Sequence, residues 1–149
     1  MKQAMLGVLG VFVLAFGQWA SAQHEPIIVK PNDVKWMDIK ELPGWTEAII
    51  VGDARGEGPY VERIKIPPNA LVPPHSHPDA ENITVLIGTF GIGNGSKVDK
   101  SKGQLLGVGS FYFLPANAVH FAWAGPKGAT IQIHGVGPSG MTMVEPEKK

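Results

Sequence analysis

Glycine and proline recur so often along this chain that little of it has room for a long helix. Nineteen glycines and thirteen prolines among 149 residues leave short apolar pieces, the pattern of strands joined by turns. The strand candidates are Ala48–Val51, Tyr60–Ile66, Ile83–Ile87, Leu105–Val108, Ser110–Leu114, Phe121–Ala124 and Ala129–His134. Breakers separate them: Gly56-Glu57-Gly58-Pro59, Pro67-Pro68-Asn69, Pro73-Pro74, the run Gly91 to Gly95, and Gly125-Pro126-Lys127-Gly128. Short strands at this spacing predict an all-β sandwich or barrel, and the length suits one domain. Only Asp33 to Leu42 reads as a helical turn, and no internal repeat is visible.

Strand side chains alternate between two faces. By that rule Ile83, Val85 and Ile87 share a face, as do Ile131 and Ile133, with Gln132 and His134 on the opposite one. His75 and His77, two residues apart, face the same way, and Glu81 shares their parity. With the more distant His120, three imidazoles and a carboxylate form a donor set suited to a divalent transition metal. Because the face of Glu81 continues into aliphatics, the donors are expected at one mouth of a barrel filled with apolar side chains, a usual place for a ligand cavity.

The N-terminus is a different kind of sequence. Lys2 is followed by an uncharged apolar run from Ala4 to Phe16 and then by Ala20-Ser21-Ala22. That order predicts a secretory signal peptide over residues 1–22, with cleavage expected between Ala22 and Gln23. The apolar run falls short of the roughly 20 residues that span a bilayer. A periplasmic or secreted protein with no membrane attachment after cleavage is expected. Without Lys2, twelve basic side chains face thirteen acidic ones, a formal charge of −1, so nothing draws the chain to nucleic acid. It has no cysteine, which excludes disulfides, thiolate ligands and thiol nucleophiles.

Two segments carry a resemblance. His75-x-His77-x3-Glu81-x6-Gly88 resembles the first sequence motif of the cupin superfamily, and Gly109-x5-Pro115-x-Asn117-x2-His120 resembles the second. The short segment between Gly88 and Gly109 fits a compact, single-domain cupin, and the chain is similar to small exported bacterial cupins. The resemblance implies a double-stranded β-helix, or jelly-roll, barrel over residues 23–149, with its metal motifs within 69–124. It implies that His75, His77, Glu81 and His120 bind one metal ion: iron, manganese, nickel, copper or zinc. It is also compatible with a homodimer, formed through an edge strand or a swapped N-terminal segment. Three positions depart from the family pattern: Asn69 and Asn117 stand where glycine is usual, and Ala124 where asparagine is. Asn117 can still adopt the left-handed turn conformation.

The functional reading that follows is a metal-dependent enzyme acting on a small molecule. Dioxygenase-type oxidation leads, with isomerase and lyase chemistry beside it; the alternative is a non-catalytic metal or small-ligand binding module. Two or more cavity-facing polar groups besides the ligands would favour catalysis, and a purely aliphatic wall would favour passive binding. His134 is a candidate catalytic base or else a structural histidine near a strand end. Arg63 is a candidate clamp for a substrate carboxylate or else a side chain on the solvated face. Tyr112 and Trp123 are candidates for pocket or core, and Asp79 reads as a turn residue. Gly91 to Gly95 lacks the strand before and helix after that a nucleotide loop needs, and reads as a hairpin turn.

Overall fold

The structure, a computed structural model, describes residues 25–145. The expected signal peptide and its cleavage point at Ala22 and Gln23 lie outside them. Nine strands follow in chain order: β1 (Met37–Asp38), β2 (Thr46–Val51), β3 (Gly58–Ile66), β4 (Leu71–Ser76), β5 (Glu81–Asn94), β6 (Gln104–Leu106), β7 (Phe111–Leu114), β8 (His120–Gly137) and β9 (Thr142–Met143). All pair antiparallel in one curled sheet, ordered β1-β2-β3-β8-β4-β9, with β5 pairing β8 and carrying β6 and β7. The expected all-β barrel is the observed architecture.

Two long strands make the curl. Residues 120–124 of β8 run between β4 and the far half of β5, whereas residues 129–137 run between β3 and the near half of β5. The expected strands Phe121–Ala124 and Ala129–His134 are therefore one strand here, and the expected strand Ile83–Ile87 is extended to Asn94. Gly91 to Gly95 does not form a hairpin turn: Gly91 pairs with Trp123 and Gly93 with Phe121 inside the ladder. A Cβ at Gly91 would collide with the Trp123 indole, and one at Gly93 with the Phe121 ring. Glycine is there because an aromatic ring from the neighbouring strand already fills the space of its side chain.

Within β5 the buried positions change parity. Glu81, Ile83 and Val85 point inward, but Ile87 is 62% exposed, and Phe90 and Ile92 are buried instead. Register shifts between Val85 and Ile87 and between Gly88 and Phe90 cause the switch, which overturns the expectation that Ile87 continues the inner face. Ile131 and Ile133 are buried as expected. The double proline is not a break either. Pro73 and Pro74 lie within β4, where the register shifts between Val72 and His75, so their missing N–H groups fall at an irregularity in the ladder. The helical turn expected over Asp33 to Leu42 is absent. A single 3-10 turn occupies Pro31–Asp33, and β1 follows, paired with β2. Trp36 in this segment lies 3.8 Å from the Lys65 Nζ on the outer face of β3, so the segment is used to cover the sheet.

Candidate metal centre

His75 and His120 are direct partners in the β4–β8 register, which puts their side chains on the same inner face. His77 lies just beyond the end of β4. The turn before His120 is tied back to it: the Asn117 N–H donates to the His77 carbonyl at 2.7 Å. Asn117 adopts φ 61°, and Asn69 adopts φ 59°, so both asparagines take the left-handed conformation that glycine adopts most readily. The ring centroids of His75 and His120 are 4.1 Å apart, of His75 and His77 4.9 Å, and of His77 and His120 5.3 Å. One ligating atom from each of the three lies within 4.8 Å of the others.

Each imidazole is tethered through Nδ1 to a backbone carbonyl: His75 to Pro73 at 2.7 Å, His77 to Gly140 at 2.8 Å and His120 to Ala118 at 3.1 Å. A carbonyl oxygen only accepts, so each Nδ1 carries the proton and each Nε2 keeps a free lone pair. That is the arrangement of metal-binding histidines. Burial keeps the rings neutral: it pushes His75 down to about 4, and it lowers His77 and His120. Ligation requires that neutral form.

The group that the structure gathers among the described residues is His75, His77 and His120; Glu81, the fourth predicted donor, lies to one side of it and outside that group. Its carboxylate is buried, and Oε1 lies 3.5 Å from the His77 Nδ1. At neutral pH this is not an ion pair, because the imidazole is uncharged. Burial raises the Glu81 carboxyl to about 8, and Asp79 and Glu62 add to the rise. A carboxylate crowded in this way is relieved by a cation, but the nitrogen it approaches is the tethered Nδ1 of His77 and not the free Nε2; the fit to a metal rests on the three imidazole lone pairs. The residues present therefore fit a divalent ion of the transition series.

A cavity of about 300 Å³ opens from this centre into the barrel. Ile64, Ile83, Phe90, Ile131 and Ile133 form much of its wall, and Glu47, Glu62, Arg55 and Ser139 supply polar groups. The sequence reading missed Glu62 and Glu47. A signal for Glu62 was present: it has the parity of Tyr60, Ile64 and Ile66, and a charge on an otherwise apolar face marks a cavity position. Burial raises the Glu62 carboxyl, and Glu47 adds to it.

Other candidates lie elsewhere. His134 is exposed on the outer face, beside Val61 and Asn82 in the register, so it does not face the cavity as a base. Arg63 lies on the outer face of β3, where its Nε donates to Gln132 Oε1 at 3.0 Å; the solvated-face reading replaces the clamp. Trp123 is buried against Gly91 and beside Phe121, and half-buried Tyr112 packs against the core. Asp79 is more than a turn residue. It is buried and accepts from the Tyr60 hydroxyl at 2.9 Å.

Residues 24–140 match the ChrR cupin-like domain. No match was found among the curated proteins. Among solved structures, an RmlC-like cupin from Shewanella frigidimarina NCIMB 400 aligns at a TM-score of 0.60 with 16% identity, over 75% of this chain and 91% of its own. The polyketide cyclase RemF from Streptomyces resistomycificus aligns at 0.65 with 21% identity, over 81% and 87% respectively. KdgF from Halomonas sp. aligns at 0.56 with 19% identity, over 72% and 93%. At these identities the likeness is one of fold.

Proposed function

The chain belongs to the ChrR cupin-like domain family, and on that premise we propose that it is a periplasmic metal-dependent enzyme acting on a small molecule. The observation that carries this reading is the trio of neutral imidazoles, each fixed by an Nδ1 tether, gathered within 4.8 Å at the end of an apolar cavity. His75, His77 and His120 would hold a divalent transition ion, with Glu81 as the fourth donor. Bound there, the ion would supply Lewis-acid polarisation or a redox couple.

The chain's own groups do the rest. The aliphatic wall keeps water from the reacting part of a substrate, and Glu62, raised by burial, is placed to exchange a proton with it. Dioxygenase-type oxidation is the favoured class by the frequency of that chemistry in the superfamily; isomerase and lyase chemistry would use the same centre, whose open coordination positions serve all three. Glu47, Glu62, Arg55 and Ser139 in the cavity wall favour catalysis over a passive binding module, whose wall would be aliphatic throughout. The fold neighbours include a polyketide cyclase, which supports small-molecule chemistry in this barrel. Export is supported by the leader-like sequence from Lys2 to Ala22.

Metal analysis by mass spectrometry tests the reading, on protein purified from the periplasm without chelator and beside a His75→Ala/His77→Ala variant. About one equivalent of a single transition metal, lost in the folded variant, is expected. Equal trace amounts in both would overturn it.

A further inference from the structure

The charge inside the cavity is lopsided. Among the described residues its wall carries the carboxylates of Glu47, Asp53, Glu62 and Glu81, against one guanidinium, that of Arg55. The Arg55 side chain is 75% exposed, and its Nη2 lies 3.7 Å from Glu47 Oε1, so it is turned to a partner at the rim. The chain's other arginine, Arg63, is engaged with Gln132 on the outer face. A ligand carboxylate entering this space finds no free guanidinium to pair with. It meets Glu62 and Glu81, which line the same space.

The remaining chemistry of the wall describes what does fit. Ile64, Ile83, Phe90, Ile131 and Ile133 offer apolar surface, and a volume of about 300 Å³ lies at the small end of ligand cavities. Within that apolar surround, the Glu62 carboxyl is a polar group on the cavity wall able to accept a hydrogen bond from a ligand hydroxyl.

We infer that the cavity selects an uncharged, largely apolar small molecule bearing a hydroxyl group, and that Glu62 is the residue that turns carboxylates away. The inference rests on the metal-centre reading above and narrows it to a substrate class. The hydroxyl hydrogen points to Glu62 while the apolar body lies along the isoleucines.

Benzyl alcohol and benzoate, matched in size and differing in charge, test it. Their dissociation constants are measured by ligand-observed NMR on the full protein loaded with one equivalent of Zn(II). The wild type is expected to bind benzyl alcohol about tenfold or more tighter than benzoate. Glu62→Gln, with zinc retained, is expected to shift the ratio about tenfold toward benzoate. Benzoate binding as tightly as the alcohol, no binding of the alcohol, or an unchanged ratio in Glu62→Gln would overturn the inference while the metal reading stands. Should Glu62→Gln lose zinc, the wild-type ratio alone decides. A wild type that takes up no zinc overturns both.

Discussion

His120 and His134 lie on one strand, β8, with the same parity, yet they have opposite fates. His120 is 3% exposed, its Nδ1 tethered and its ring among two other imidazoles. His134 is exposed on the outer face. Between them runs Gly125-Pro126-Lys127-Gly128, and the inward positions pass from His120, Ala122 and Ala124 to Ala129, Ile131 and Ile133. A period-two rule holds within each half and fails across the bend. What makes a histidine a ligand here is the register around it, not its spacing from other histidines along the whole strand.

The sharpest way to break that contrast is to remove each ring. His120→Ala is expected to weaken metal binding by more than about a hundredfold. His134→Ala should leave it within about twofold, since nothing in the centre touches it. A large loss in His134→Ala, measured by competition with a chromogenic chelator, would mean that the parity switch has been misread.

The first half of β8 also depends on the glycines facing it. Gly91→Ala places a methyl group against the Trp123 indole, and the overpacking is expected to cost about 1–3 kcal/mol. Gly107→Ala, where an added Cβ meets nothing, should change chemical-denaturation stability by less than about 0.5 kcal/mol. Equal stabilities for the two variants would show that β5 and β8 are less closely fitted there than described.

The smallest effect is on pH dependence. In metal-free protein the Glu81 carboxyl lies at about 8, raised from an ordinary value of 4.5. Its stabilising share is fully present below about pH 4.5 and is lost as pH rises through 8, because the unfolded carboxyl ionises first. His75 works in the opposite sense. Lowered from 6.5 to about 4, it contributes fully above about pH 6.5, and its share is lost as pH falls toward 4. The metal-free Tm is expected to drop by about 5 °C between pH 6 and 9. Glu81→Gln, which cannot ionise, should flatten that alkaline limb. An alkaline limb unchanged in Glu81→Gln would assign it to another group.

Much of this was legible in the chain. Glycine and proline spacing pointed to strands rather than helices, though not to the length of β5 and β8; alternation put Ile131 and Ile133 inside, and the two motifs singled out the histidines that the fold gathers. The losses share one cause. Ile87, Pro73-Pro74 and the glycine run from Gly91 were all misjudged where the ladder carries a register shift or where another strand's side chain occupies a residue's space. Both are properties of a pairing between strands far apart in sequence. Glu62 and Glu47 come to the cavity in the same way, from strands that contribute nothing to the motifs. Arg63 was ambiguous by parity alone, and only the partner Gln132 from β8 decides its face.

The three tethers differ in reach. Those of His75 and His120 come from carbonyls two residues earlier, so each strand brings its own. The tether of His77 comes from Gly140, 63 residues away. A chain synthesised from its N-terminus has all three imidazoles in place by residue 120, yet it lacks the group that orients the second until twenty more residues have followed. The centre is thus completed late in translation, and a product truncated after β8 would carry every ring but only two with a fixed aim.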